Sequence, residues 1–106
     1  MSSALVFMAL YRPHPGKAEE LKEVLKVHIP TLRKEELITN RELLSLQAED
    51  GTIIEIAEWR STEAIEKAHQ SAAVMAVWDK IGSLAELTSL STLAEAQERF
   101  PNFKLL

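Results

Sequence analysis

Two histidines are the side chains best suited to proton transfer in this chain of 106 residues. His28 and His69 each fall on a predicted helix, and an imidazole, which changes charge near neutral pH, suits a general base. The structural alternative for each is a hydrogen bond to a backbone carbonyl. With His14, which we expect to be exposed in a turn, they show no i, i+3 or i, i+4 spacing, so we predict no metal site.

Glu55 is the third candidate for acid–base chemistry because it lies between two isoleucines in a predicted strand. A carboxylate buried there without a cation is costly in its charged form, which makes it a candidate base. An ion pair with Arg12 or Arg41, across strands or subunits, is the structural alternative. The predicted catalytic residues are therefore His69, His28 and Glu55.

Two tryptophans offer walls for a flat ligand, although packing in the core is the alternative for each. Trp59 ends a predicted strand, and Trp78 lies on a predicted helix. Arg33 at a helix end would bind an anionic group of the ligand or else remain solvated. We predict that Trp59, Trp78 and Arg33 bind the substrate.

The composition excludes several classes of function. The chain has no cysteine, so thiolate catalysis, disulfides and Cys-based metal sites are excluded. Its net charge is −4 and its basic residues form no stripe, so we expect neither a nucleic-acid nor a membrane partner. No G-x-S-x-G turn supports a hydrolase.

The apolar pattern predicts the elements that position these residues. Period-two alternation and apolar runs predict strands, and apolar residues at helical spacing predict helices. The predicted strands cover residues 4–12, 42–48, 53–59 and 83–90, and the predicted helices include residues 62–70 and 72–81 and a helix around residues 21–32. The order β-α-β-β-α-β predicts one α+β domain over residues 1–106 with a ferredoxin-like antiparallel sheet.

Three local features add detail to this order. Pro30 lies inside the first helix, so we predict a kink or break near residues 27–29 and a separate turn of helix after it. Ser61 and Ser71 are predicted helix caps. Residues 91–106 are predicted to form a short helix and an apolar tail, which docks on its own domain or on a partner subunit because it is too apolar to remain in water.

The predicted sheet has one face covered by helices and one left open. Alternation places Ile53, Ala57 and Trp59 on one face of the third strand, and we assign that face to the open side. A second copy of the sheet is the simplest cover for it, so we predict a homodimer.

The N-terminus has no basic region of a signal peptide, and no apolar run approaches the ~20 residues that span a bilayer, so we expect a cytoplasmic protein.

Three short motifs carry a resemblance to a known family. They are Arg12-Pro13-x-Pro15-Gly16-Lys17, Glu58-Trp59-x-Ser61, and Ala68-His69 with Ser71. With these motifs the chain resembles the antibiotic biosynthesis monooxygenase family, small ferredoxin-like domains that pair into dimeric α+β barrels. The His-Ile-Pro-Thr-Leu-Arg stretch over residues 28–33 resembles an uncharacterised branch of that family.

The resemblance implies a reaction of a phenolic or quinone-like compound with dioxygen, without metal, flavin or other cofactor. The pocket implied for such a substrate lies between sheet and helices, with Tyr11 among the substrate-binding residues of its lining and His69 or His28 as base. The haem-degrading branch is not favoured, because its ruffling Trp and ligating His, counted from Trp59, fall on Ala68 and Trp78. A binding or structural dimeric module without catalysis is the alternative function.

Overall fold

The computed structural model describes residues 3–106, and its element order follows the predicted one with a short fifth strand added in the C-terminal tail. The strands are β1 (Leu5–Pro13), β2 (Leu44–Gln47), β3 (Ile53–Trp59), β4 (Ala85–Thr88) and β5 (Lys104–Leu105). The helices are α1 (Ala18–Lys34), α2 (Thr62–Gln70) and α3 (Ala72–Leu84), with short 3₁₀ turns at Leu90–Thr92 and Ala94–Gln97. None of the helices in residues 3–106 has the length and apolar character needed to cross a membrane.

The strands form one antiparallel sheet in the order β4-β1-β3-β2-β5. The longest pairing joins β1 to β3 and sets Ala9 opposite Glu55 and Tyr11 opposite Ile53. Because side chains alternate along a strand, these four residues point to the same face. The predicted ferredoxin-like α+β fold is confirmed by this topology.

The prediction of which face is covered is wrong. Ile53, Ala57 and Trp59 lie under the molecule's own helices and are at most 9% exposed. The open face instead carries the alternate set, with Val6, 61% exposed, as its most accessible residue on β1. Both sets are apolar, so alternation separates the faces without identifying the one that the helices cover.

The predicted break at Pro30 does not occur, because α1 continues to Lys34 as one helix. Pro30 is exposed, and the next residue, Thr31, donates its hydroxyl hydrogen to the carbonyl of Val27 at 2.7 Å. The apolar face of α1 therefore packs on the sheet along its length, and it buries His28 between Leu25 and Leu32.

Ser61 and Ser71 cap helices as predicted. The Ser61 hydroxyl accepts the N–H of Ala64 at 3.1 Å, and the Ser71 hydroxyl accepts that of Val74 at 3.2 Å. Only Ser71 separates α2 from α3, and its own hydroxyl hydrogen goes to Glu35 at the end of α1 at 2.8 Å. A single residue thus joins two helices and ties them to a third.

The C-terminal segment docks on its own domain along the far edge of the sheet. β5 pairs with β2, and Leu93, which is 1% exposed, packs with Leu10 and Ile54 on the open face. The final residues remain accessible, since Phe100 is 85% exposed. This segment covers one end of the open face and leaves the other end bare.

Candidate functional site

Four buried or half-buried side chains form a continuous hydrogen-bonded chain beneath the helices. The Trp78 indole N–H donates to His28 Nε2 at 2.9 Å, and His28 Nδ1 lies 2.8 Å from Glu55 Oε1. The Tyr11 hydroxyl donates to the same Glu55 oxygen at 2.8 Å. This hydrogen-bonded chain links α3, α1, β3 and β1, so the helices and the sheet each contribute two members.

The donors in this chain fix where the hydrogen of His28 lies. An indole nitrogen only donates, so Nε2 of His28 must accept and carries no hydrogen. The hydrogen of the neutral ring is therefore on Nδ1, which donates it to the Glu55 carboxylate. With this arrangement each donor named in the hydrogen-bonded chain meets an acceptor, as is usual for buried polar groups.

Tyr11 is held in its neutral form. Burial, and after it the charge of Glu55 and the hydrogen bond to Glu55, raise the pKa of the Tyr11 hydroxyl well above its usual range. Tyr11 therefore acts as a permanent donor to Glu55 rather than as an acid or base. Its ring meets the His28 ring edge to face, with centroids 6.3 Å apart.

A pocket of about 320 Å³ opens beside this chain, between the sheet and helices α1, α2 and α3. Its lining is largely apolar, which suits a small aromatic ligand. The aromatic and imidazole side chains that line it are Phe7, Tyr11, His28, Trp59, His69 and Trp78. Phe7 and Trp59 form one wall, with ring centroids 4.9 Å apart.

His69 lies at the exposed side of the pocket near the end of α2. Its Nδ1 is 2.9 Å from the carbonyl oxygen of Ile65, which only accepts, so Nδ1 carries a hydrogen. The neutral ring then has its lone pair on Nε2. The ring also meets Trp78 edge to face at 5.0 Å, so the two residues are in contact at the pocket.

The structure brings most of the predicted site residues together. Tyr11, His28, Trp59, His69 and Trp78 line one pocket, and Glu55, 1% exposed, lies behind it and holds two of them.

The three arginines considered for this site lie elsewhere. Arg33 donates to the backbone carbonyl of Arg41 at 2.9 Å and is not part of the pocket lining. Neither Arg12 nor Arg41 pairs with Glu55, because Arg12 lies 3.9 Å from Asp50 and Arg41 lies 3.2 Å from Glu58. Within residues 3–106, the alternative of an ion pair across strands between Glu55 and either of these arginines is therefore wrong.

Phe7 and Leu87 are pocket residues that the sequence reasoning missed. The signal for Phe7 was present, since strand alternation places it on the same face as Ala9 and Tyr11. Leu87 follows only from pairing, because β4 sets it opposite Tyr11. Its side chain is 69% exposed at the edge of the pocket.

Comparison with known proteins identifies the chain's relatives. The model of the antibiotic biosynthesis monooxygenase family matches residues 4–79. A search of curated proteins found no match.

Several solved structures share the fold. SnoaB of Streptomyces nogalater, a cofactor-independent oxygenase, is 16% identical with a TM-score of 0.69, and the match covers 82% of this chain and 88% of SnoaB. Rv0793 of Mycobacterium tuberculosis is 21% identical with a TM-score of 0.65, covering 81% and 91%. A possible oxidoreductase of unknown function from Bacteroides thetaiotaomicron is 17% identical with a TM-score of 0.70, covering 83% and 94%.

Proposed function

The chain belongs to the antibiotic biosynthesis monooxygenase family, and on that premise we propose that it is a cofactor-independent monooxygenase. Its substrate is a small aromatic, phenolic or quinone-like compound bound in the pocket between sheet and helices. The observation that carries the proposal is the aromatic pocket of about 320 Å³ with two imidazoles in its lining. SnoaB, a cofactor-independent oxygenase with the same fold, supports it.

His69 is the base in this proposal. Its Nδ1–H is engaged by the Ile65 carbonyl, which orients the ring and leaves the Nε2 lone pair for a substrate hydroxyl. The deprotonated substrate reduces dioxygen, and one oxygen atom replaces a ring C–H hydrogen to give a quinone carbonyl. The other oxygen atom leaves as water with that hydrogen and with the hydroxyl proton that His69 returns. The protein's part is to bind the substrate, remove the proton and exclude bulk water.

His28 and Glu55 have a positioning role here rather than the direct base role. Both ring nitrogens of His28 are engaged, by Glu55 on one side and by Trp78 on the other. His28 therefore has no lone pair for a substrate while Trp78 keeps its bond. Through His28, Glu55 fixes the position of the Trp78 indole, and Trp78 is one of the two tryptophans that line the pocket.

Oxygen uptake with a set of phenols, naphthols and hydroquinones tests this function. We expect at least one compound to be consumed with dioxygen by the purified protein. His69→Ala should lower kcat by about 100-fold, the loss typical of removing a general base. The matched control is His14→Ala, because His14 is exposed in the turn before α1. Uptake unchanged by His69→Ala would refute the base assignment.

A homodimer through the open sheet face is part of the proposal. Val6, Met8 and Leu44 are 61%, 42% and 44% exposed on that face, at the end that the C-terminal segment leaves bare. Exposed apolar side chains grouped on a sheet are typical of an interface.

A binding module without catalysis is the second candidate. The observation that favours it is the engagement of His28 on both nitrogens, together with the ordinary helix-end bond of His69. Phenols that raise the melting temperature while no compound drives oxygen uptake would favour this module over the monooxygenase.

A further inference from the structure

We infer that Gly82 is a specificity-determining residue that sets how long a ligand the pocket accepts. Because Gly82 has no side chain, one end of the pocket stays open, and the apolar part of the ligand that does not react lies there against the backbone of α3. The inference rests on the proposed function, since it concerns the far end of the same pocket.

Neither the backbone nor the helix end explains why this position holds a glycine. A glycine within a helix is less favourable than alanine because it loses more backbone freedom on folding. The glycines with positive φ are Gly16 and Gly51, so the helical backbone at Gly82 suits any L-residue. The end of α3 is formed without it, since the N–H of Ala85 donates to the carbonyl of Ile81. The glycine therefore lowers the stability of α3 without serving its geometry.

Close packing does not explain Gly82 either. A Cβ built on it would have no heavy atom within 4 Å among the described residues 3–106, apart from its chain neighbours and the backbone of its own helix. A glycine that lets two elements approach each other would show such a contact. The space beside Gly82 is open, and Gly82 is part of the pocket lining. The absent side chain therefore gives the pocket space that any other residue would reduce.

Gly82 lies toward the end of the pocket away from His69. His69 stands just before the corner at Ser71, and its ring meets that of Trp78 with centroids 5.0 Å apart. Gly82 follows Trp78 by four residues, so it lies on the same face of α3, about 6 Å farther from that corner. A ligand whose hydroxyl meets His69 and whose ring lies along Trp78 therefore extends toward Gly82.

Leu87 bounds this end of the pocket from β4. It is paired opposite Tyr11, so its side chain lies on the face of the sheet that the helices cover, yet it remains 69% exposed. Helical side chains lean toward the N-terminus of their helix, so a side chain at position 82 would lean back over Trp78 and fill part of the space beside Leu87. The opening between α3 and Leu87 thus suits an apolar extension of the ligand.

Two ligands of different length test the inference by calorimetry without dioxygen. They are phenol and 4-phenylphenol, which carries a second ring opposite the hydroxyl. We expect Gly82→Leu to weaken binding of 4-phenylphenol at least about tenfold, because the leucine fills the space of the second ring. Its affinity for phenol should change by less than about twofold, which also shows that the variant folds. Ala76→Leu is the matched control, because Ala76 is exposed on α3 outside the pocket lining, and it should leave both affinities unchanged.

Gly82→Ala gives a second measurement that needs no ligand. Because the backbone at Gly82 suits alanine and nothing crowds its Cβ, we expect the melting temperature to rise by about 2 °C or more. An unchanged or lower melting temperature would show that the fold itself requires the glycine, and it would overturn the inference.

The outcomes separate this inference from the proposed function. If Gly82→Leu weakens binding of both compounds equally, or of neither, the inference is overturned and the proposed function stands. If the wild-type protein binds neither compound, the proposed function fails and the inference fails with it.

Discussion

The two faces of the same sheet handle exposure in opposite ways. Under the helices, Glu55 and its partners form a polar chain in which each member satisfies the next, and Glu55 is 1% exposed. On the other face, Val6 and Met8 are apolar and remain 61% and 42% exposed. The hydrogen-bonded polar side chains therefore lie on the buried face, away from water. The exposed apolar side chains lie on the open face, where another protein surface can cover them.

The difference assigns separate roles to the two faces. A buried hydrogen-bonded chain is costly to disturb and fixes side-chain positions, which suits a binding site. Exposed apolar side chains contribute free energy only when they are covered, which suits association. Substitutions on one face should therefore change stability and binding, and substitutions on the other should change assembly.

The largest effect is expected for Glu55→Ala. Removing the carboxylate leaves the hydrogens of Tyr11 and His28 without their acceptor in a buried site. We expect a loss of at least about 3 kcal/mol in the free energy of unfolding, measured by urea denaturation. Glu86→Ala, an exposed strand glutamate on β4, is the control and should change stability by less than about 0.5 kcal/mol. Similar values for the two variants would remove the distinction between the faces.

Val6→Glu tests the role of the open face. A charge at this position would be desolvated in the proposed dimer, so we expect association to weaken at least about thirtyfold. Sedimentation should then show a particle near the chain mass of 11.9 kDa instead of one twice as heavy. Val27→Glu is the matched control, since Val27 is 54% exposed on α1. A wild-type protein that sediments as a single chain would refute the dimer.

Leu93→Ala tests how firmly the C-terminal segment covers its end of the open face. Leu93 is 1% exposed against Leu10 and Ile54, so its truncation leaves a cavity. We expect a loss of about 2 kcal/mol, together with faster amide hydrogen exchange in β5. Leu90→Ala in the same segment is the control because Leu90 is 40% exposed. Unchanged exchange in β5 would show that other contacts hold the segment.

The smallest effect is expected for Tyr11→Phe, about 1 kcal/mol, since Glu55 keeps its bond to His28. Tyr11 is the chain's only tyrosine, so tyrosinate absorbance reports on it alone. Its pKa is raised in the folded state, so its contribution to stability is present below the unfolded value of about 10 and is lost as the pH rises above it. Tyrosinate that forms in the folded protein near pH 10 would contradict this.

Elements with strong local signals were predictable from the sequence. β3 and α2 have the predicted bounds, because Gly51 marks the turn before β3 and Ser61 supplies the cap of α2. The predicted break at Pro30 does not occur, since α1 is one helix from Ala18 to Lys34. Pro30 is exposed, so water can reach the backbone carbonyl that loses its partner there, while the buried residues on the other side of α1 keep their packing.

The arrangement of the site was predictable only in part. Residue types and the family resemblance selected five side chains that line the pocket, and Glu55 behind it, but missed Phe7 and Leu87. The hydrogen bonds within the site join residues 27 to 50 positions apart in the sequence. Whether Glu55 meets His28 or an arginine depends on which face of β3 lies under α1. That choice is made by the packing of whole elements, so it does not appear in the pattern of one strand.

Ser71 has a consequence for the width of the pocket. His69 and Trp78 stand on opposite arms of the corner that this residue makes between α2 and α3, so its backbone torsions set the opening angle between them. The corner is anchored to the end of α1 through Glu35. Substitution of Glu35 or Ser71 is therefore a way to change the width of the pocket while every side chain that lines it stays the same.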